Sequence, residues 1–345
     1  MRKKNVTIKD VALKAGVSFK TVSNVVNNPS IVKLFTRKRV LQVIRDLDYR
    51  PSAAARALVT HSRRLISLII SDVTNPAYPE MIEVIAWLAR QKGFMLLLCN
   101  TGRDPDEENN YLDLISEQQA DGVIIACSNI DSNSADILTK RGIKVVLFNR
   151  RPFKYSVHYV GVDNEGGGYA ATNHLIKMGH RHIAFIRGAI KASTSFEREQ
   201  GYRRALSDNS IPVDESLIVL GDYRAEEVSR VSTELLKRED RPSAIFAAND
   251  VMALAAIDTA NQSGLRVPED LAIIGFDDIP IASNSMVGLS TVRSNIRSLA
   301  EEAAKLLFEL IENAEHPYPI PPVEKILPVS LQIRRTCGGS IYNIE

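Results

Sequence analysis

The 345-residue sequence predicts an α/β protein in two parts, a small all-α head and a larger body of two α/β lobes, and three observations predict it. Charge divides the chain: residues 1–64 carry 15 Lys and Arg against 3 Asp and Glu, a net of +12, whereas the remainder carries 28 against 38, a net of −10. Apolar residues recur at helical spacing in the basic part. Beyond it, short apolar runs alternate with amphipathic stretches of helical length, the pattern of parallel α/β layers. With 45% hydrophobic and 24% charged residues the chain has ordinary globular composition, which excludes disorder and collagen-like repeats. The basic part is expected to meet a polyanion and the acidic body to do a different job.

In the head, TIKDVALKAGVS (7–18) has Thr7 placed to cap a helix with Asp10 three residues on, and Ile8, Val11, Ala12 and Ala15 at helical spacing. Gly16 ends that helix and Ser18 caps the next. Wound at 100° per residue, the second helix puts Val22, Val25 and Val26 on one side and Phe19, Lys20, Ser23, Asn24 and Asn27 on the other. Two short helices joined by a Gly-containing turn, the second with a face rich in amides and hydroxyls, make a helix-turn-helix. A third helix from about Thr36 to Leu47 supplies Val40, Ile44 and Leu47 to the core. Lys20 can donate to guanine O6/N7 and Asn24 can pair with adenine N6/N7 in the major groove. Thr7, Ser18, Thr21, Ser23 and Asn27 suit phosphates, which fix register without reading bases.

The strings TIKDVALKAGVSFKTVSNVVNN and RVLQVIRDLDYRPSAAARAL closely resemble the LacI/GalR family of bacterial transcriptional regulators. The resemblance implies base readout by Phe19, Lys20 and Asn24; many members carry Arg where this chain has Asn24. Leu34-Phe35 also departs from the family, which has polar residues before the third helix. In YRPSAAARAL (49–58), Pro51 stops the third helix, Ser52 caps a further short one, and Ala53 to Leu58 are good helix formers. So short a helix forms only when something packs against it. By resemblance it is a hinge helix that pairs with its dimer mate in the minor groove at the operator centre, through Ser52, Ala55 and Leu58, with Leu58 wedged into a base step.

In the body the expected strands are 65–71, 94–99, 122–127, 144–148, 159–162, 183–186, 244–247 and 271–276, with helices between most of them. Its 281 residues exceed one core, so two lobes are the natural division. Ligands in such sheets bind beyond the carboxyl ends of the strands. Five strands end in polar pairs: Ser71-Asp72, Asn149-Arg150, Asp163-Asn164, Asn249-Asp250 and Asp277-Asp278. Strings such as NPAYPE (75–80), REQGYRRAL (198–206) and GLRVPEDLAIIGFDD (264–278) resemble the family's effector-binding domain, which is similar to periplasmic sugar-binding proteins: two Rossmann-like parallel sheets with three crossings between lobes. The resemblance implies effector contacts at Asp72, Tyr78, Asn149, Arg150, Arg198, Asn249 and Asp277, with Ser294 standing where many sugar-responsive members carry Gln. It sets the organisation as a helix-turn-helix domain at 1–48, hinge and linker at 49–64, and an effector-binding and dimerisation domain at 65–345. Lobe one is about 65–162 plus 294–323 and lobe two about 163–293 plus 324–337.

Enzymatic chemistry is not expected. Gly166-Gly167-Gly168 lacks GxGxxG spacing and a P-loop lysine, His180 and His182 have no further metal ligand at suitable spacing, and no nucleophile–base pair stands out. No catalytic residue, metal or cofactor is assigned. Cys99, Cys127 and Cys337 are scattered without a CxxC pair, the basic start MRKK is not followed by an apolar stretch of a signal peptide, and no apolar run approaches roughly 18 residues. A cytoplasmic, homodimeric repressor is expected, with operator DNA and a sugar or related metabolite as partners and no membrane. The alternatives are a solute-binding receptor without gene control, a purine- or nucleoside-responsive corepressor-type regulator, and a sugar-processing enzyme fused to a DNA-binding head.

Overall fold

The computed structural model describes residues 6–49, 62–154, 157–314 and 320–338, and the chain divides into two compact units, 1–63 and 64–345. The first is a three-helix unit: α1 (Ile8–Ala15), α2 (Phe19–Asn27) and α3 (Leu34–Asp46). Thr7 and Asp10 form a reciprocal capping box, the Thr7 amide donating to Asp10 Oδ2 at 2.8 Å and the Asp10 amide to Thr7 Oγ1 at 3.4 Å. Gly16 ends α1 at φ 62°, a left-handed conformation that costs glycine nothing, and Ser18 Oγ accepts from the Thr21 amide at 3.1 Å to start α2. Val11, Ala12, Ala15, Val22, Val25, Val40 and Val43 form the core. The third helix starts two residues before the expected Thr36, so Leu34 and Phe35 lie in its first turn, exposed, with Arg39 against the Phe35 ring at 5.9 Å. Val43 is buried beside Val40, while Ile44 and Leu47 pack only at the margin of the core.

The second unit contains two six-stranded sheets. The first, in order β11-β5-β4-β3-β1-β2, joins β1 (Leu65–Ile70), β2 (Met95–Asn100), β3 (Gly122–Ile125), β4 (Lys144–Phe148), β5 (Tyr159–Val162) and β11 (Glu324–Leu327), all parallel. The second, in order β12-β10-β9-β8-β6-β7, joins β6 (Ile183–Arg187), β7 (Ile218–Leu220), β8 (Ala244–Ala247), β9 (Ala272–Asp277), β10 (Ser290–Arg293) and β12 (Ser330–Gln332), parallel except for β12 against β10. Side chains on alternate positions of the first sheet bury both faces: Ile66, Leu68 and Ile70 share a core with Met81 and Ile85 of α4 (Tyr78–Gln91) and Leu306 of α11 (Ile296–Glu312). Ile69, Val123 and Ile125 pack with Leu112 and Ile115 of α5 (Pro105–Glu117) and Leu138 of α6 (Ser134–Lys140).

All eight expected strands form. The four additional ones are three or four residues long, three of them (IVL, EKIL and SLQ) at sheet edges, too short to show a period. One of them corrects the lobe boundary. Residues 324–327, expected in lobe two, pair in parallel with β5 in the first sheet, Glu324 beside Tyr159. The chain therefore crosses for the last time at Pro328–Val329, and lobe two resumes at Ser330, which pairs with Arg293.

The Gly166-Gly167-Gly168 run is a packing device at the start of α7 (Asn164–Lys177). A Cβ on Gly168 would come within 2.3 Å of the Arg198 carbonyl oxygen, and one on Gly201 within 2.1 Å of the Glu165 carbonyl oxygen. Helix α8 (Ser193–Asp208) thus lies backbone to backbone against α7, while Gly167 makes room for the Phe276 ring, which a Cβ there would approach to 2.6 Å. Gly201→Ala is expected to force these helices apart and lower stability by about 1–3 kcal/mol; urea denaturation of the full chain checks this, an unchanged midpoint contradicting it.

Candidate functional sites: a DNA-reading helix and a ligand cavity

In the head, α2 turns Val22 and Val25 into the core, which leaves Phe19 and Lys20 exposed in its first turn and Thr21, Ser23 and Asn24 partly exposed. Phe19 is 64% exposed, which no packing requirement of the head explains. The hydroxyls assigned to phosphate are engaged in local structure: Thr7 Oγ1 donates to Asp10 Oδ2 at 2.7 Å, and Ser18 Oγ and Thr21 Oγ1 lie 2.9 Å apart. Capping already accounts for them, and each retains a lone pair or proton for a further partner. The Asn27 side chain and the hinge residues Ser52, Ala55 and Leu58 lie outside the described residues.

In the body, one cavity of about 210 Å³ is lined by residues from the carboxyl ends of both sheets, and Asp72, Tyr78, Asn149, Arg150, Arg198, Asn249 and Asp277 all belong to its wall. Arg198 is held most firmly. It is 2% exposed, its guanidinium lies 3.5 Å from the centroid of the Phe276 ring, and its Nε donates to Asn164 Oδ1 at 2.9 Å. Its two terminal nitrogens donate to the Ala248 carbonyl and, at 3.2 Å, to Asp277 Oδ1. Burial pushes the Asp277 carboxyl up, and the neighbouring Arg198 and Arg150 oppose that shift. Asn249 spends its Oδ1 on capping α10 (Asp250–Gln262) through the Met252 amide, leaving its amide nitrogen as the free donor. Tyr78 is buried with its hydroxyl 3.0 Å from Ser71 Oγ. Asn149 takes the left-handed φ of 57°, and Arg150 lies with its guanidinium 5.2 Å from the Tyr223 ring.

Four polar strand-end residues turn away from the cavity wall. Asp163 caps α7 through the Gly166 amide, and Asn164 holds Arg198 and Glu197. Asp250 is buried, accepting from Thr291 Oγ1 at 2.5 Å and the Ile279 amide at 2.9 Å; burial, then the charge of Asp277, raise its carboxyl well above the usual range. Asp278 forms ion pairs with Arg293 and Arg334. Ser294 is buried with its hydroxyl on the Asp277 carbonyl. His180 and His182 bond Ser243 Oγ and the Arg241 carbonyl, and among the described residues no group of His, Cys, Asp and Glu could hold a metal. Nor, among them, is any helix long and apolar enough to cross a membrane.

The sequence reading missed Arg103 and Tyr223. Arg103, just beyond β2, ion-pairs with Asp72 at 3.0 Å and donates to the carbonyls of Asp222 (3.1 Å) and Tyr223 (3.0 Å) in lobe two. Asp72 therefore positions a bridge between lobes, its other oxygen taken by Thr74. The strand-end rule applied to β2 points to Arg103; Tyr223 follows β7, a strand too short to read. Arg198→Ala would leave Asp277, Asn164 Oδ1 and the Ala248 carbonyl without their donor, and about 3–5 kcal/mol of stability should be lost. Thermal unfolding measures it, and a loss below about 1 kcal/mol, the range of an exposed pair, would contradict the buried network.

Comparison with known proteins agrees with both parts. Residues 7–52 match the model of bacterial regulatory proteins of the lacI family, and residues 172–337 that of a periplasmic binding protein-like domain. The chain is 35% identical over 311 residues to the HTH-type transcriptional repressor PurR of Photobacterium profundum, covering 90% of this chain and 93% of the relative. To the repressor of the same name from Aliivibrio salmonicida it is 36% identical over the same shares. Among solved structures it resembles a transcriptional regulator CelR–cellobiose complex (32% identity, TM-score 0.73, 96% of this chain and 100% of that one). It also resembles the Lac repressor dimer bound to operator and the anti-inducer ONPF (27%, TM-score 0.84, 97% and 99%). With a helix-turn-helix unit whose second helix has an exposed polar face, two mostly parallel sheets around a polar cavity, and relatives matched along nine-tenths of its length, the chain belongs to the LacI family of non-catalytic, DNA-binding transcriptional regulators.

Proposed function

We propose that the protein is a dimeric repressor whose two heads bind a pseudo-palindromic operator and whose cavity takes a small polar metabolite that controls binding. The observation that carries this is the cavity wall, to which both sheets contribute polar strand-end residues. A molecule held by Asn149 and Arg150 on one side and Arg198, Asn249 and Asp277 on the other changes the relation of the lobes, and so the approach of the two hinge segments. A ligand that favours paired hinges acts as corepressor and one that favours separated hinges as inducer. The Lac repressor dimer bound to operator and a cellobiose complex among the similar structures support the assembly and the ligand class.

In the head, Phe19, Lys20 and Asn24 read bases, while Thr7, Ser18, Thr21, Ser23 and Asn27 hold phosphates. Ser52, Ala55 and Leu58 meet the minor groove. Exposure of Phe19 and Lys20 in the first turn of α2 supports the assignment. Lys20→Ala is expected to relax preference at particular operator positions at a cost of roughly 1–3 kcal/mol; competition binding against single-position operator variants measures it, and uniform weakening would mark a phosphate contact instead. Leu58→Ser should reduce specific affinity far more than non-specific affinity, and equal losses in both would remove the minor-groove role. A thermal-shift screen of sugars, nucleosides and purines, with operator affinity measured for each hit, tests the effector. A ligand that stabilises the protein without moving operator affinity would count against control through the cavity.

A further inference from the structure

The charges around the cavity do not balance one for one. Asp72 is matched by Arg103 at 3.0 Å, Asp277 by Arg198 at 3.2 Å, and Asp222 by Arg224 at 3.5 Å. Asp104, exposed at the start of α5, accepts from the Asp106 amide through one oxygen and meets no cation at ion-pair distance among the described residues, water screening its charge. Glu108 accepts from Ser134 Oγ at 2.7 Å, and burial pushes its carboxyl up, towards the neutral form. Arg150 remains. Among the described residues its guanidinium meets no carboxylate at ion-pair distance and no hydrogen-bond acceptor; the Tyr223 ring faces it at 5.2 Å, while Tyr78, Cys127, Glu108 and Asp277 act on it through space. Beside it, Asn149 carries a buried Oδ1 with no partner. Its backbone is fixed by the amide bond to the Val160 carbonyl at 2.8 Å and by the Tyr159 hydroxyl on its own carbonyl at 3.2 Å.

A guanidinium partly withdrawn from water with no carboxylate at ion-pair distance is costly to keep, and hydroxyl groups of a neutral ligand answer it only in part. We infer that the molecule taken up by the cavity carries an anionic group, a carboxylate or a phosphate, and that Arg150 receives it. The inference rests on the reading of this cavity as the effector site and narrows its ligand to small acids whose neighbouring hydroxyl or amine suits the acceptor of Asn149. Arg198 does not take this role, because its charge is already matched by Asp277 and three of its donors are engaged.

The test measures ligand binding to the full-length protein without DNA, at constant ionic strength, and then operator affinity with each ligand that binds. Thermal unfolding and calorimetry are followed with inorganic phosphate, acetate, D-ribose 5-phosphate and D-gluconate, each acid sugar against D-ribose or D-glucose. The acids should bind and raise the unfolding midpoint where the neutral sugars do not, phosphate and carboxylate arms showing which anion fits. Arg150→Met should lower acid affinity about 100-fold, and Arg150→Lys, which keeps the charge without the fork, by less. Equal binding of acids to wild type and Arg150→Met, or no acid binding to wild type, overturns the inference. A neutral sugar that binds and moves operator affinity, with Arg150→Met responding alike, overturns it while the effector reading stands. Acids bound through Arg150 with operator affinity unmoved would leave the anion site standing and remove the effector reading.

Discussion

The ligand cavity depends on how closely two helix backbones approach. Gly168 and Gly201 let α7 and α8 touch without side chains between them, and that contact carries Arg198 far enough inward to lie over Phe276 and reach Asp277 and the Ala248 carbonyl. A buried guanidinium is tolerated only when its donors are met and its charge is paired, and here an amide, a carbonyl, a carboxylate and an aromatic face meet it. The cavity floor in lobe two is thus a rigid polar network, fixed before any ligand arrives.

The wall contributed by lobe one is built differently. Arg103 and Arg150 both reach toward the 222–223 turn of lobe two, one by hydrogen bonds to its carbonyls and the other across the Tyr223 ring. Asp222 and Tyr223 both take left-handed backbone, at φ 51° and 56°, an uncommon conformation for side chains of their kind. Beside the cavity the lobes therefore meet through long cations and one turn, contacts that can be exchanged for ligand contacts without disturbing either core, while farther along Ile130 donates to the Lys191 carbonyl at 2.9 Å and the Phe153 and Phe196 rings lie 5.4 Å apart.

Much of this was legible in the sequence, and the omissions have physical reasons. The head could be read because capping residues and a valine stripe leave little choice of face in a helix as short as α2. The strand-end rule found Asp72, Asn149, Arg150, Asn249 and Asp277 because parallel strands deliver the residues after them to one edge of the sheet. It could not tell which member of a pair lines the cavity: Asp250 and Asp278 come one residue after Asn249 and Asp277 and turn inward to Thr291, Arg293 and Arg334. Arg103 escaped notice because it lies three residues past the end of β2 rather than next to it, and Tyr223 because it follows a strand of only three residues. The boundary near 323 was misplaced because EKIL, with a charged residue at each of its first two positions, has no core-strand pattern; it is an edge strand with alternate residues exposed.

That late boundary bears on the order in which the chain can fold during synthesis. β11 closes one edge of the first sheet and β12 one edge of the second, with two residues between them. Thr336 then ties the end of the segment to lobe two, accepting from the Ser290 amide at 2.9 Å and donating to the Ile273 carbonyl at 2.8 Å. Domains fold from the N-terminus as they emerge, but neither lobe of this body has its full sheet until residues 324–332 have left the ribosome. The head, whose three helices and core lie within residues 8–46, can therefore be complete while the body is still unfinished. A chain cut short of residue 324 lacks β11 and β12 and leaves an open edge on each sheet, a template for unwanted strand pairing.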